Sequence, residues 1–487
     1  MPPPKLAPDL DLPLVLDQGA RAPLQQQLRE HLRQAILDGR LAPGTRLPST
    51  RTLAEALGVS RTVTSAAYDD LLAEGYLEGR RGSGTYVGSD LPPLPRFRRS
   101  VPNVPPRWLA KAPLVAPDEA GEPPTIAFHL GMPSTASLPS RVWREAWRAV
   151  TSQLPPSGYG PPAGDPALRA ALASYLGRSR GLACTPEDIL ITAGATHALD
   201  LIARATLSVG DAVGLEEPGY PAARHVLLAR GGRPVPIPID EDGLQVERLP
   251  LGSAAPLLVY TTPSHQYPLA TRLSVARRLA LLTWAQTNES LIVEDDYDSE
   301  FRFDTSPLPA LASLDGAGCV AYIGTFSKVL TPALRVGYLV APPLLRQRIE
   351  QINYLTDEYA SWPLQQMLAA FISNGHLDRH IRRMRQQYAQ KRQALARALA
   401  PIAPLAQLRG LEAGLHAYLE LRSDLNARLV TELARQREVL VTPLDSYYVG
   451  QPDRAGVLLG YGSLDIPDIL RGATILREVI EQVAARS

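Results

Sequence analysis

The stretch YIGTFSKVLTPALRVG, at residues 322–337, decides the interpretation of this 487-residue chain. It ends an apolar, strand-like run with a single lysine, Lys328, and Arg335 follows on the same loop. Burial at the end of a strand disfavours the ammonium form of a lysine, which makes Lys328 a candidate to form a Schiff base with an aldehyde. Arg335 offers a planar fork suited to phosphate, and Thr325 adds a hydroxyl group on the same loop.

An aldehyde that also carries a phosphate is pyridoxal 5′-phosphate (PLP), a cofactor that needs an acid near its ring nitrogen. The run LIVEDDYD supplies Asp295. Because side chains alternate along a strand, Tyr297 points the same way, so that one residue can face the ring nitrogen and the other the phenolic oxygen. In TAGATHALDL, small residues precede a helix whose first N–H groups, together with Thr196, can hold the phosphate. Tyr220 ends another strand, in EEPGYP, and can stack on the ring.

Each of these residues also has an ordinary explanation. A single lysine such as Lys328 more often lies on the surface, Arg335 can be a surface charge, and Tyr220 can belong to a core. The acidic run at 294–296 can be a solvated loop or a metal site, although no histidine lies close to it in the sequence. We therefore predict no metal site, and the joint occurrence of these residues in this order favours a cofactor site.

Residues 125–487 alternate short apolar runs with longer amphipathic stretches. The strand-like runs include DILITAG, PLLVYTTPS, LIVEDDYDSEF and VAYIGTFSK, and each ends in small or polar residues. This pattern predicts an α/β fold with a mostly parallel sheet covered by helices, in which ligands bind at the carboxyl ends of the strands. From about residue 343 the sequence is more helical, and we expect a smaller α+β subdomain there.

Residues 17–88 show a different pattern. Leu24, Leu28, Leu32 and Ile36 recur every four residues, which predicts one amphipathic helix. Two further helices are predicted at about 49–57 and 60–74, the second of them capped by a serine hydroxyl, and two short strands surround the Gly-Ser-Gly turn that follows.

The run RTLAEALGVSRTVTSAAYDD has the features of a helix-turn-helix motif. Ala54 is small enough for two helices to cross closely, and Gly58 suits the turn between them. Residues that face outwards at the start of the second helix contact bases and phosphates in such motifs. The alternative is an ordinary three-helix packing motif without DNA contacts. We expect the outward-facing residues to be Ser60, Arg61, Thr62 and Thr64.

Between these segments, residues 89–124 are rich in proline and basic in their first half, which favours an extended linker. The formal net charge of the chain is +1, so any contact with DNA needs a local basic patch. Cys184 and Cys319 are the only cysteines, too few for a disulfide framework. The first residues lack a signal-peptide pattern and no apolar stretch reaches membrane-spanning length, so we expect a cytoplasmic protein that contacts no membrane.

Two stretches of the first segment, LAPGTRLPSTRTLAEALGVSRTV and LLAEGYLEGRRGSGTYV, resemble the winged helix-turn-helix domain of GntR-family bacterial regulators. The resemblance covers nearly the whole segment. It implies that the DNA-contacting residues are Arg51, Ser60, Arg61, Thr62 and Thr64, with Arg46 and Arg81 as further candidates.

The third segment resembles fold-type I aminotransferases over essentially its full length, through SGYGPPAGDPALRAALASYLGRSRGL, ITAGATHALDL, EEPGYP, TPSHQYP, EDDYDSEFR and TFSKVLTPALRVGY in that order. Together the two segments resemble the MocR/GabR-type subfamily of GntR regulators. The resemblance implies that Lys328 forms the Schiff base with PLP, that Asp295 pairs with its ring nitrogen, and that Tyr297 reaches its ring hydroxyl. The other residues that it implies are the backbone around Ala195, Thr196, Thr325 and Arg335 at the phosphate, Tyr220 stacked on the ring, Tyr159 from the partner subunit of a homodimer, and His265 and Gln266 lining the pocket.

One position departs from the family pattern. Aminotransferases usually hold the substrate carboxylate with an arginine that, in this subfamily, precedes a Leu-Gly-Phe/Tyr step near the C-terminus. This chain has Leu458 there, in AGVLLGYGSL, and Arg454 lies roughly 13 Å away along a strand, too far to replace it. Ala270 also stands where the family often has glycine. The loss of the arginine argues against efficient transamination and against an amino-acid effector.

We therefore expect a regulator that senses PLP itself, as the PdxR-like branch does, and that controls genes of vitamin B6 metabolism. It would act as a homodimer on a double-stranded DNA operator with two half-sites, in the bacterial cytoplasm and on the nucleoid when bound. The alternatives are an active PLP-dependent aminotransferase, a regulator that responds to an amino compound, and a DNA-binding protein whose large domain only dimerises.

Overall fold

The computed structural model of the chain describes residues 15–20, 22–80, 82–89, 125–303, 309–357 and 359–486. The chain divides into two compact units, residues 1–111 and 112–487. This division falls within the predicted linker at 89–124, of which residues 90–124 lie outside the described ones. In the part of the chain that the structure describes, no helix is both long and apolar enough to cross a membrane.

The first unit is a small helical domain with a hairpin. Ser49 starts its second helix by accepting a hydrogen bond from the backbone N–H of Thr52, and Gly58 ends that helix with a φ of 63°. Leu32, Leu53 and Val87 belong to one buried apolar core that joins the helices to the hairpin. The predicted winged helix-turn-helix is confirmed. Its elements are α1 (Leu24–Leu37), α2 (Thr50–Leu57), α3 (Arg61–Ala73), β1 (Leu77–Arg80) and β2 (Gly84–Val87).

The second unit combines a large sheet with many helices. Its helices are α4 (Ser140–Thr151), α5 (Pro166–Arg180), α6 (Ala195–Thr206), α7 (Pro221–Ala229), α8 (Val275–Thr287), α9 (Pro343–Thr356), α10 (Trp362–Ser373), α11 (His376–Leu399), α12 (Ala427–Gln436) and α13 (Ile466–Ala484). Its strands are β3 (Ile126–Ala127), β4 (Ile189–Thr192), β5 (Ala212–Glu217), β6 (Arg233–Asp240), β7 (Gly243–Leu244), β8 (Leu258–Thr261), β9 (Leu291–Asp296), β10 (Val320–Thr325), β11 (Gly337–Val340), β12 (Ala406–Arg409), β13 (His416–Leu421), β14 (Val439–Leu440), β15 (Thr442–Pro443) and β16 (Gly456–Gly460).

The large sheet has eight strands in the order β4-β11-β10-β9-β8-β5-β6-β7. The pairs β10–β9, β9–β8, β8–β5 and β5–β6 are parallel, whereas β11 runs antiparallel to both of its neighbours and β7 antiparallel to β6. Every residue of β10 is buried, because Tyr322 packs in the core on one face and Ile323 in the core on the other. The predicted mostly parallel α/β sheet is confirmed.

The register of this sheet brings three loops to one edge. Thr325, at the end of β10, pairs with Gly337, which also pairs with Thr192 at the end of β4. Asp295 of β9 lies beside Ile323 of β10. The loops after β4, β9 and β10 therefore open at the same carboxyl edge, where a ligand site is expected in such a sheet.

The C-terminal part of the chain forms the smaller α+β subdomain that the sequence predicts. The strands β12, β13, β16 and β15 make a four-stranded antiparallel sheet. The helix α13 contacts both α11 and α12, and α12 also contacts β15 and β16 of this sheet. Leu458 lies in β16, between Tyr418 of β13 and Thr442 of β15.

Candidate functional site

Lys328 lies in the loop that follows β10 and is half-buried. Burial lowers the pKa of its ammonium group, and the negative charges of Asp298 and Asp295 oppose that effect. A Cβ atom on Gly131 would lie 2.5 Å from the Lys328 Nζ atom, so the end of the lysine side chain packs closely against this glycine. The lysine is therefore enclosed and less basic than usual, as a nucleophilic amine requires.

Asp295 presents one unpaired oxygen to this space. The Tyr260 hydroxyl donates a hydrogen bond of 2.7 Å to its Oδ2 atom, while Oδ1 is buried and has no hydrogen-bond partner among the described residues. Burial raises the pKa of Asp295 to about 6, although the hydrogen bond from Tyr260 opposes the rise. An unpaired buried carboxylate oxygen is costly, and the protonated ring nitrogen of PLP would supply the donor that it lacks.

Tyr297 follows β9 directly and is buried, which raises the pKa of its hydroxyl well above the usual range. Its oxygen lies 3.0 Å from the Nδ1 atom of His265. Tyr220 packs edge-on against Tyr267, with ring centroids 5.2 Å apart. Burial and then the charge of Asp295 raise the pKa of Tyr220. Both predicted tyrosines therefore lie close to Asp295. This arrangement allows one of them to stack on the PLP ring and the other to reach the ring hydroxyl.

A cradle for an anion lies beside the lysine. The helix α6 begins at Ala195 after Gly194, no side chain caps its first N–H groups, and Thr196 is exposed at its start. A Cβ atom on Gly194 would lie 3.4 Å from the Arg335 guanidinium, which has no hydrogen bond or ion pair to any described residue. The Thr325 hydroxyl donates a hydrogen bond of 3.0 Å to Ser327. A helix N-terminus beside an arginine fits a phosphate group.

Gln266 is held by hydrogen bonds within the protein, and its predicted place in the lining of the pocket stays a prediction. Its amide nitrogen donates hydrogen bonds to the Glu216 carboxylate at 3.2 Å and to the Pro218 carbonyl at 2.9 Å. Its amide oxygen accepts a hydrogen bond of 3.0 Å from the N–H of Leu269. The side chain is thus paired within its own loop and with β5, and it stabilises the loop that carries His265.

The predicted DNA-contacting residues lie at the exposed start of α3 and around it, with one exception. Ser60, Arg61 and Thr62 are exposed, and the Ser60 hydroxyl, contrary to prediction, does not cap the helix. The outward orientation predicted for Thr64 is wrong. Its side chain is fully buried and its hydroxyl donates to the carbonyl of Thr50 at 2.8 Å.

The arginines near this helix differ in their surroundings. Arg46 is exposed, and so is Arg51, whose guanidinium lies 3.0 Å from Glu55 on the same helix. Arg80 of the hairpin pairs with Glu78 at 2.7 Å. Arg81, a further candidate, lies outside the described residues. An exposed ion pair on one helix is weak, so Arg51 can exchange Glu55 for a phosphate at little cost.

Comparison with known proteins gives the same two parts. Residues 24–87 match the family described as "Bacterial regulatory proteins, gntR family", and residues 126–457 match "Aminotransferase class I and II". A "Probable rhizopine catabolism regulatory protein MocR" of Rhizobium meliloti is 39% identical over 472 residues, covering 95% of each chain. The chain belongs to the MocR/GabR-type subfamily of GntR regulators.

Two further comparisons describe this MocR/GabR-type regulator. The "HTH-type pyridoxine biosynthesis transcriptional regulator PdxR" of Corynebacterium glutamicum is 36% identical over 481 residues, covering 97% of this chain and 99% of that one. A kynurenine aminotransferase of Pyrococcus horikoshii, solved in complex with PMP, is 28% identical with a TM-score of 0.69, covering 73% of this chain and 91% of that one. The chain is therefore a DNA-binding transcriptional regulator whose second unit has the fold of a PLP-dependent aminotransferase, and its cofactor is PLP.

In this MocR/GabR-type regulator, Leu458 is fully buried in an apolar cluster with Tyr418, Leu444 and Tyr447. Arg454 donates a hydrogen bond of 3.2 Å to the Ile239 carbonyl. Arg454 is thus paired with a backbone carbonyl, and the loss of the carboxylate-binding arginine at position 458 stays a prediction. Ala270 adopts a φ of 61°, which explains why glycine is common at its position.

Several residues of the site were not predicted. Tyr260 and Asp298 lie in the quoted runs PLLVYTTPS and EDDYDSEFR. Their positions at strand ends indicate that both residues could be predicted as part of the site. Gly131 and His416 come from distant segments, and only the fold brings them here. The rings of His265 and His416 are 5.0 Å apart, and burial lowers the pKa of His416 to about 3.

Tyr159 lies on the surface of the second unit, with 86% of its area exposed. Leu154 and Leu355 are also apolar and are 93% and 81% exposed. The ring of Tyr359 packs against the backbone of Gly160. Large apolar side chains with this much exposure are consistent with a surface that a second subunit covers, and the contribution of Tyr159 to a partner's site stays a prediction.

Proposed function

We propose that this regulator senses PLP itself and controls genes of vitamin B6 metabolism. The observation that carries the proposal is Leu458, a fully buried apolar side chain at the position where the resemblance to the subfamily predicts the arginine that binds a substrate carboxylate. The chain keeps the groups that fit the cofactor, which are Lys328, the unpaired oxygen of Asp295, and Arg335 beside the start of α6. A site that fits PLP but lacks a cation for the carboxylate of an amino acid indicates that PLP itself is the effector.

The energetic argument concerns the carboxylate of an amino acid. Transfer of a charged carboxylate to a buried apolar wall costs several kcal/mol unless a cation or several donors compensate for the lost water. Leu458 belongs to a buried cluster with Tyr418, Leu444 and Tyr447, and the Tyr418 hydroxyl already donates to the Ala455 carbonyl at 3.1 Å. An amino-acid effector would therefore bind weakly here. The 36% identity to a regulator named for pyridoxine biosynthesis also supports the proposal.

The proposed mechanism is a shift between two states of a homodimer. PLP would bind one state better than the other, and this difference would change the placement of the two winged helices on an operator with two half-sites. The exposed apolar side chains of Tyr159, Leu154 and Leu355 support a dimer in which each subunit completes the other's site.

The test is DNA binding to the upstream region of the protein's own gene, measured by fluorescence anisotropy at one fixed salt concentration. PLP is compared with pyridoxine 5′-phosphate, which has the same phosphate and ring but no aldehyde. The proposal predicts that PLP alone changes the affinity or the footprint and that the aldehyde-free compound does not. Equal responses to both compounds, or a response only when an amine is added with PLP, would contradict it.

The second candidate is an active aminotransferase with an accessory DNA-binding unit. Lys328, Asp295 and Arg335 support it, because these residues would serve catalysis as well as sensing, whereas Leu458 opposes it. A steady-state transamination assay across amino acids decides between the two, since an enzyme of ordinary efficiency would turn over at about 1 per second or faster. A protein that used the second unit only for dimerisation would show no cofactor absorbance after incubation with PLP.

A further inference from the structure

Asp298, His265 and Tyr297 form a buried chain of polar contacts beside the cofactor site. The Nδ1 atom of His265 lies 3.0 Å from each of the two Asp298 carboxylate oxygens. The same Nδ1 atom lies 3.0 Å from the Tyr297 hydroxyl. Asp298 is 1% exposed, His265 3% and Tyr297 9%, so water has little access to these contacts.

The positions of the hydrogens follow from what each group can donate. An ionised carboxylate only accepts hydrogen bonds, so the Nδ1 atom that faces Asp298 must carry a hydrogen. The Tyr297 oxygen, at the same distance from that N–H, can therefore only accept from His265. The hydroxyl hydrogen of Tyr297 therefore points away from His265 and is available to an acceptor on the other side of the tyrosine.

We propose that His265, held by Asp298, is a positioning residue that directs the Tyr297 hydroxyl hydrogen to the ring oxygen of PLP. This inference rests on the presence of PLP at Lys328. Without the histidine, the Asp298 carboxylate would be free to accept the hydrogen of Tyr297, and the ring oxygen of PLP would lose its donor. A donor at that oxygen stabilises its negative charge, so the loss of the donor should make the covalently bound cofactor hold its proton to a higher pH.

Other charged and titratable groups face the same two side chains. Asp295 comes from β9, Lys328 from the loop after β10, Glu216 from β5 and His416 from β13, while Tyr267 packs against the ring of Tyr297. All of them remain in the variants proposed below. Their contributions are therefore the same in each protein and cancel in the comparison.

A metal site is the main competing explanation. His265, Asp298 and His416 offer ligand atoms that lie within 4.8 Å of one another. However, His265 turns Nδ1 towards Asp298, which leaves its unpartnered Nε2 atom on the far side of the ring. A Cβ atom on Gly414 would lie 2.5 Å from an oxygen of Asp298, so the backbone already fills the space beside the carboxylate. This geometry suits a hydrogen bond between His265 and Asp298 better than it suits a cation bound by these two residues and His416.

The experiment follows the visible absorbance of PLP on the full-length protein during a pH titration. His265→Gln removes the donor at the Nδ1 position, whereas His265→Asn keeps an N–H group near it. We expect the pH midpoint to rise by about one unit in His265→Gln and by clearly less in His265→Asn. Asp298→Asn, which no longer fixes the hydrogen on Nδ1, should shift the midpoint in the same direction as His265→Gln.

A double variant separates positioning of Tyr297 from a general structural effect. Tyr297→Phe should raise the midpoint by itself, and His265→Gln should add nothing in that background. Tyr175→Phe is the matched control, because this buried hydroxyl bonds to Glu300 at 2.9 Å in another part of the unit. It should leave the midpoint unchanged.

The outcomes are distinct. Additive shifts, an unchanged midpoint in His265→Gln, or a metal ion that copurifies with the parent and is lost in His265→Gln would overturn the inference. Loss of PLP from His265→Gln and Asp298→Asn but not from Tyr297→Phe would also contradict it, because the pair would then serve binding. If the parent protein does not bind PLP, this result contradicts the proposed function and not the role given to His265.

Discussion

The hydroxyl of Tyr260 donates a hydrogen bond of 2.7 Å to Oδ2 of Asp295, and the other carboxylate oxygen remains unpaired in the described structure. Tyr260 comes from β8 and Asp295 from the neighbouring strand β9. The tyrosine thus fixes the carboxylate and leaves Oδ1 available for the ring nitrogen of PLP. It also opposes the rise in pKa that burial causes at Asp295.

Replacement of Tyr260 by phenylalanine should therefore weaken PLP binding. The pKa of Asp295, already raised to about 6, should rise further, so that less of the carboxylate is ionised at neutral pH. We expect the Kd for PLP to increase about 10-fold, as the loss of a hydrogen bond to a charged group predicts. An absorbance titration measures this, with Tyr175→Phe as control. An unchanged Kd in Tyr260→Phe would contradict the role given to this tyrosine.

Asp295 should also affect stability in a pH-dependent way. Its pKa is raised from 3.8 to about 6 by folding, so the folded state binds the proton more tightly and stability falls as the pH rises from about 4 to about 6. Asp295→Asn removes this contribution. The urea unfolding free energy of the PLP-free parent should therefore fall between pH 4 and pH 7 by up to about 3 kcal/mol more than that of the variant. Glu294 and Glu300 titrate in both proteins, and identical pH profiles would contradict the prediction.

Two residues of α3 should separate DNA contact from stability. Arg61 is exposed at the helix start, and Arg61→Ala should reduce operator affinity about 10- to 100-fold. Thr64 is buried and bonded to the Thr50 carbonyl at 2.8 Å, so Thr64→Val should lower the thermal midpoint by a few degrees and change operator affinity little. Anisotropy and thermal melts test this. Loss of affinity in Thr64→Val at a temperature where the variant is folded would show that Thr64 reaches DNA.

Leu458→Arg should restore a partner for a carboxylate. In the parent, amino acids should leave the absorbance of bound PLP almost unchanged, and in the variant they should change it at millimolar concentration. The buried cation should also lower the stability of the variant in the absence of an amino acid. Leu458→Met is the volume-matched control. A parent protein that responds to amino acids as strongly as the variant does would contradict the role given to Leu458.

Tyr159 can be tested by complementation between subunits. Lys328→Ala removes the covalent attachment, and Tyr159→Ala removes the contact expected from the partner. If each site combines Lys328 of one subunit with Tyr159 of the other, a mixed dimer of the two variants regains one complete site. We expect mixing, after subunit exchange, to raise PLP affinity above that of Tyr159→Ala alone. No gain in an exchanged mixture would place Tyr159 outside the site.

The parts of the site that lie close in sequence could be predicted, because strand ends and loop residues follow from local pattern. Lys328, Thr325 and Arg335 lie in one short stretch of sequence, and Asp295 and Tyr297 share one alternating run. The inward orientation of Thr64 could also be predicted from the sequence, because the helical period places it on the same buried face as Ala67 and Tyr68.

The remaining contacts depend on tertiary structure. Gln266 pairs with Glu216, which comes from β5, so the local sequence gives no sign of this contact. His265, Asp298 and His416 come from three separate segments, so a search for histidines near the acidic run missed the cluster that the fold makes.

The most direct test of PLP sensing compares the parent protein with Lys328→Ala on the same operator DNA, with and without PLP. The Nζ atom of Lys328 is the group expected to form the covalent bond with the aldehyde at this site. The account predicts that PLP changes the affinity or the footprint of the parent and has no effect on the variant, while both proteins bind DNA equally in its absence. The same response to PLP in Lys328→Ala would contradict it.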